Sequence, residues 1–366
     1  MCVPAPVPWG LNDTIMSNAM ITATGSYIPT ETVPNEYFSG RRFYDAHGAL
    51  LQLSGTEIVE KFQEITAITE RRYAAADLNT SDMAYMAAER TLEGVDKESL
   101  DYIIVCQNLG DVRGSVCDMV PTLAARVKHK LRIRNPYTVA YDVPFGCAGW
   151  LNGMIMADHY VKAGCAKRIL VIGAETPSRL SDPYDRDSMI YADGAGAALV
   201  EATERNVGIL SHVTRCDTFQ EAYLLWLDKS YNPHSNGNRL FIKMHGHEIY
   251  RYALKTVPET VKQSLDKAGL TLDPVKKILM HQANQKMDEA ILRRLFKLYG
   301  KEQIPEGIMP MTVSWLGNSW VATLPTMFDL LQRGKLENHR LHSGDIVVFV
   351  SMGAGMNVNS MIYRLP

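Results

Sequence analysis

The chain has 366 residues, 46% of them hydrophobic, and a formal charge of −2. That is enough apolar material for two domains or one large doubled one, and it offers no global charge to draw nucleic acid or a membrane surface. No apolar run is long enough to span a bilayer, and six cysteines without paired spacing or a CxxC speak for reduced thiols in a cytosol, against disulfides or zinc.

The first twenty residues are proline-rich and lack a basic n-region, so they do not read as a secretory signal. Met16 and Met20 are alternative starts, and residues 1–20 are expected to form a leader outside the fold. In "NTSDMAYMAAERTLEG", Ser81 is a candidate N-cap, an apolar stripe follows, and Gly94 is a stop. "LDYIIVCQN" is a short β-branched run, as are "RILVIGAE", "GAGAALVEA", "KKILMHQAN" and "DIVVFVSMGAG". Continuous apolar runs of this length suit strands covered on both faces, and their alternation with helical patterns predicts an α/β class. A helix is expected from about Glu248 to Lys267, kinked or restarted at Pro258. Met287, Ile291, Leu295 and Leu298 fall at helical spacing in the next one.

The halves resemble each other in order. Gly146-Cys147 opens a helix that ends near Gly164, before "RILVIGAE". Gly317-Asn318 opens a segment that ends near Gly334, before "DIVVFVSMG". This predicts a duplicated unit, 21–205 and 206–366, with two helix N-termini facing a common centre.

In "DVPFGCAGWLNGM", Cys147 reads either as a small core residue or as a nucleophile. As a nucleophile it would gain from a helix terminus, whose dipole and free N–H groups favour a thiolate. Small neighbours would let a substrate approach the sulfur. His281 in "MHQAN" is either a satisfied structural residue or a catalytic partner, and Asn318 in "LGNSW" either a helix cap or an amide donor.

Taken together, "ATGSYIPTETVPNEYF", "GCAGWLNGMIMADHYVKAG", "DPYDRDSMIYADGAGAALV", "HQAN" and "GNSWVATLP" resemble, in order and spacing, the β-ketoacyl-acyl carrier protein synthase III group of the thiolase superfamily. The resemblance runs from about Ile21 to the C-terminus. It implies two similar βαβαβ-type halves in five layers, α-β-α-β-α, and a homodimer. It also implies a Cys147-His281-Asn318 triad that accepts an acyl group and condenses it with a decarboxylating malonyl thioester. The backbone N–H groups of Cys147 and Ala354 would form the oxyanion hole. Arg186, Gly246, His247, Asn284 and Trp320 would border substrate or carrier. No cofactor or metal is implied, only acyl-coenzyme A or acyl-carrier protein thioesters.

Two departures stand out. Where coenzyme A-binding members often carry a tryptophan, this chain has Lys61 or Phe62. After Asn318, where small residues are usual, Ser319-Trp320 brings a large ring. "MHGHE" superficially reads as metal ligands, but the resemblance places it at a helix start beside the substrate tunnel. "RRLFKLYGK" is a basic face for solvent or an acidic carrier protein. A papain-like peptidase would share the Cys, His, Asn order, but "HQAN" and the α/β alternation count against it. A biosynthetic thiolase would need a second cysteine near the C-terminus, and the last here is Cys216. A hydroxymethylglutaryl synthase would need a catalytic glutamate that no matching motif supplies. Ester-forming acyl transfer, joining of a β-ketoacyl unit to a second acyl chain, and a non-catalytic partner subunit remain as alternative roles within the resemblance.

Overall fold

The structure is a computed structural model, and residues 17–114, 116–235 and 237–366 are described. The first half runs β1 (Asn18–Tyr27), α1 (Gly55–Thr66), α2 (Thr80–Thr91), β2 (Tyr102–Cys106), α3 (Leu123–Lys130), β3 (Val139–Val143), α4 (Gly149–Lys162), β4 (Arg168–Glu175) and β5 (Gly194–Thr203). The second runs β6 (Gly208–Cys216), α5 (Gly246–Lys267), β7 (Val275–Met280), α6 (Gln285–Leu298), α7 (Thr323–Gln332), β8 (Ile346–Gly353) and β9 (Asn357–Arg364). β1 begins three residues inside the expected leader; residues 1–16 lie outside the described ones.

The first sheet has the order β1-β5-β4-β2-β3 and the second β6-β9-β8-β7. In both, the inner pairs are parallel (β2 with β3 and β4; β7 with β8) and the last two strands return antiparallel. The second sheet therefore repeats the first with its fifth strand missing. The segment in that place carries Pro310, which has no N–H for a ladder. One bond survives there, from Ile278 N–H to the Ile308 carbonyl at 2.9 Å.

Strand alternation sorts the core into layers. From β4, Ile169 and Val171 face a middle layer, and Leu170 and Ile172 an outer one. From β8, Val347 and Phe349 face the same middle layer, and Val348 and Val350 the opposite outer one. The middle layer holds Trp150, Leu151 and Met154 of α4 with Leu324, Met327 and Phe328 of α7. α2 and α3 cover one outer face, α5 and α6 the other. Five layers result, as the resemblance implies, with both faces of the apolar strands covered.

Two local expectations are corrected. The N-cap of α2 is Asn79, not Ser81, because Asp82 sits three residues after Asn79 and takes its N–H at 2.7 Å in a capping box. Ser81 instead donates from N and Oγ to Asp111, each at 2.7 Å. α5 runs through Pro258 as one helix, since burial of Ala253, Val257, Val261 and Leu265 on the sheet outweighs the lost backbone bond. Leu298 ends α6 on the exposed side, while Met287, Ile291 and Leu295 are buried.

α6 also buries Asp288 completely, with no hydrogen-bond partner on either carboxyl oxygen among the described residues. Burial raises its pKa well above the ordinary value, with Glu289 adding to the effect. The folded state thus holds this proton more tightly than the unfolded one. Its contribution is best below the unfolded pKa and is lost as pH rises toward the folded pKa. Asp288→Leu should therefore stabilise the protein by about 1–3 kcal/mol, raising the Tm more at pH 8 than at pH 5. An equal shift at both pH values would contradict this.

Candidate active site

Cys147 lies in a single 3-10 turn, Gly146–Ala148, that leads into α4. The turn follows β3, and Gly146 adopts φ +61, a region that favours glycine. The second half clamps it. Ser351 Oγ donates to the Cys147 carbonyl at 3.0 Å, and Asn359 Nδ2 to the Ala148 carbonyl at 3.1 Å. From the first half, Gly146 N–H donates to Asn108 Oδ1 at 2.8 Å. The Asn108 backbone N–H and Nδ2 donate to Glu175 Oε2, each at 2.9 Å. Asn108, Glu175, Ser351 and Asn359 escaped the sequence reading. Their only signal was a polar residue at the end of an apolar strand, as in "RILVIGAE" and "VVFVSMG".

The turn is pressed against the loop after β8. A methyl group on Gly353 would sit 2.1 Å from the Cys147 nitrogen, and one on Gly146 2.6 Å from the Ala354 nitrogen. These two glycines bring the Cys147 and Ala354 backbones side by side. The N-terminal ends of α4 and α7 also meet: a methyl on Gly149 would touch Val321 at 3.3 Å, just before α7.

His281 follows β7, and its N–H donates to the Val350 carbonyl at 2.9 Å, one residue before the Ser351 that holds Cys147. Its ring is buried and Nδ1 has no partner among the described residues. Burial pushes its pKa down to about 4, with the Trp320 backbone acting in the opposite direction. The imidazole is therefore neutral at neutral pH. Gln282 ties the "HQAN" loop to the approach to Asn318: Oε1 accepts from Thr312 N–H at 2.8 Å, and Nε2 donates to the Pro310 carbonyl at 2.7 Å.

Asn318 is 5% exposed and forms an isolated parallel bridge with Tyr191. Its Oδ1 accepts the Trp320 N–H at 2.9 Å, which leaves Nδ2 as the end free to donate. The Trp320 ring packs with Tyr191, Leu109, Val112, Leu180 and Ile242, and Cys147 packs on this cluster. Trp320 thus touches the surroundings of all three candidate residues: Cys147 by its ring, His281 and Asn318 by its backbone.

Burial pushes the Cys147 pKa up to about 12, with Glu175 adding to the rise and the residue's own N–H opposing it. Glu175 is itself pushed up to about 8 by burial, against the hydrogen bonds from Asn108 and Leu109. Burial thus works against the thiolate that the helix start would favour.

The remaining sequence candidates are exposed or half-buried. Arg186 is exposed at the start of a 3-10 turn, Arg186–Ile190. Gly246 and His247 are exposed in the first turn of α5. Asn284 is half-buried and its Oδ1 caps α6 through Met287 N–H at 3.1 Å. Lys61 is exposed, whereas Phe62 is buried among Phe38, Phe43, Ile58 and Ile68. Phe62 therefore presents no ring for a purine to stack on.

Residues 141–218 match the family 3-oxoacyl-[acyl-carrier-protein (ACP)] synthase III, and residues 265–365 match its C-terminal region. A curated relative from Halalkalibacterium halodurans, beta-ketoacyl-[acyl-carrier-protein] synthase III 1, is 32% identical over 353 residues. The match covers 95% of this chain and 99% of the relative. The chain belongs to the β-ketoacyl-acyl carrier protein synthase III family. The synthase III of Paracoccus denitrificans is 31% identical over 357 residues, covering 95% of this chain and all of the relative. The crystal structure of the Thermus thermophilus synthase III superposes with a TM-score of 0.78 at 28% identity, over 95% of this chain and 99% of that one. The five layers are accordingly those of the thiolase-like synthase III fold, and the protein is an acyltransferase of the β-ketoacyl synthase III type.

Proposed function

We propose that Cys147 takes an acyl group from a thioester and that His281 and Asn318 then serve condensation with a malonyl thioester. The observation that carries this reading is the apposition of the Cys147 and Ala354 backbones through Gly146 and Gly353. It supplies two N–H donors for the oxygen of a tetrahedral intermediate. In the first step the Cys147 sulfur bonds to the thioester carbonyl carbon, the donor's C–S bond breaks, and the thiol proton ends on the departing sulfur. Thiol exchanges for thiol, so a protonated Cys147 needs no net loss of a proton. In the second step the malonyl carboxylate leaves as carbon dioxide and its electron pair forms an enolate. The enolate carbon bonds to the acyl carbon and expels the Cys147 sulfur as a thiolate, which takes up one proton from solvent to restore the thiol. A neutral imidazole and an amide Nδ2 are donors suited to that enolate oxygen.

The donor carrier is acyl carrier protein rather than coenzyme A in this reading, because Phe62 is buried and Lys61 offers no ring. Arg293, Arg294 and Lys297 form an exposed basic face on α6 suited to an acidic carrier. Intact-mass analysis with matched acyl-carrier and acyl-coenzyme A thioesters tests it. Faster acylation from the carrier is expected, and faster acylation from coenzyme A overturns the choice of donor. A homodimer is also part of this reading. β3 is the last strand of its sheet, and Val116, Val120, Tyr137 and Val139 expose apolar surface near it. A monomer by light scattering at micromolar concentration would contradict it.

Trp320 sets the acyl length. Its ring is 8% exposed against the cluster on which Cys147 packs, so it occupies volume an acyl chain would need. Trp320 also adopts φ +52, where glycine costs least. Trp320→Gly should raise acylation by octanoyl relative to butyryl thioesters at least tenfold. An unchanged ratio would remove this role.

A further inference from the structure

Tyr191 is 3% exposed, and its hydroxyl oxygen has no hydrogen-bond partner among the described residues. Its ring packs with Leu109, Val112, Leu180 and Ile242, with the Trp320 ring edge-on at 5.8 Å and 79°, and the Asp187 and Asp185 carboxyls also act on it. The bridge to Asn318 fixes its backbone. A buried hydroxyl without a partner destabilises the fold. Phenylalanine would fill the same shape without that cost, so the hydroxyl implies a partner that arrives with a ligand. Cys147 packs on this cluster, so the ligand nearest at hand is the acyl group it would carry.

A second polar group stands close by. Asp187 lies four residues earlier, in the turn Arg186–Ile190, and is the charged group that weighs most on Tyr191. Its carboxyl accepts no hydrogen bond from a described residue, and burial pushes its pKa up to about 7, with Asp185 adding and Arg186 opposing. An apolar wall with one unused hydroxyl and one unused carboxyl complements a group that both donates and accepts.

We propose that the acyl pocket beside Cys147 selects an acyl group bearing a hydroxyl, held by the Tyr191 hydroxyl, over the plain alkyl chain of the same length. The inference rests on the reading of Cys147 as the acyl acceptor. Its test compares the rates at which butyryl, 3-hydroxybutyryl and 4-hydroxybutyryl thioesters on one carrier acylate the enzyme, read by intact mass. The wild type should favour one hydroxylated chain over butyryl at least tenfold, and in Tyr191→Phe that ratio should fall to about one. Equal wild-type rates, a butyryl preference, or a hydroxyl preference that survives in Tyr191→Phe overturns the inference. The wild-type ratio needs no variant, so a poorly folding Tyr191→Phe leaves the proposal exposed to refutation. If butyryl labels Cys147 without discrimination, only this inference falls. If none of the three labels it, the acyl-acceptor reading falls too.

Discussion

Asn318→Ala is expected to lower carbon dioxide release from a malonyl thioester by about 10²–10³, the usual cost of one oxyanion donor, while Cys147 still takes up its acyl group. In the proposed mechanism the two steps separate because they would use different donors. The carbonyl on Cys147 would be served by the backbone N–H groups that Gly146 and Gly353 bring close. The malonyl carbonyl would be left to side chains. The Trp320 N–H holds Asn318 Oδ1, so the amide cannot flip without losing a bond, and Nδ2 stays presented. His281, neutral because burial lowers its pKa to about 4, would be the second donor. His281→Ala should lose condensation as well, with some loss of acylation if the imidazole also helps the thiol proton to leave. Acyl-enzyme formation by mass and carbon dioxide release are measured separately on each variant. Abolished acylation with intact decarboxylation in Asn318→Ala would reverse the assignment.

Gly353→Ala should cut acylation more than a hundredfold. The added methyl would lie 2.1 Å from the Cys147 nitrogen and 2.9 Å from the Gly146 carbonyl carbon. Both are backbone atoms, so no flexible side chain can yield. The nucleophile turn must move, and a displacement of about 1 Å at a reacting group typically costs 10²-fold. Gly164→Ala is the control. It also sits at positive φ, +69, but its methyl would meet open space. It should lose a little stability and leave acylation intact. Equal acylation by the two variants would mean that the contact between the Gly353 loop and Cys147 does not position the sulfur.

The sequence carried the layers and the strands but not the joints between them. "RILVIGAE" and "DIVVFVSMG" read as strands because both their faces are apolar, and the structure buries both. Asn79 was passed over for Ser81 because two acceptable caps stand two residues apart, and only the position of Asp82 decides between them. Pro258 suggested a break because a local rule cannot weigh the four apolar side chains that the helix buries on the second sheet. The missing fifth strand was foreshadowed by Pro310, but no pattern in "IPEGIMPM" announces a strand to be lost. Cys147, His281 and Asn318 drew attention by their glycine-flanked or strand-end positions. Their supports did not: Asn108, Glu175, Ser351 and Asn359 stand 39, 28, 204 and 212 positions from Cys147 by their numbers, and fold topology alone brings them to one turn. A helix start is visible in sequence, whereas the burial that opposes ionisation of Cys147 depends on packing from both halves.

Peptide mapping of the enzyme after exposure to a short acyl-carrier thioester tests the central claim most directly. One acyl group should be found, on the peptide that contains Cys147, and Cys147→Ala should gain no mass. The label should then be discharged by a malonyl thioester with release of carbon dioxide. Acyl mass on Cys106, Cys117, Cys165 or Cys216 instead, with Cys147→Ala still labelled, would contradict the account.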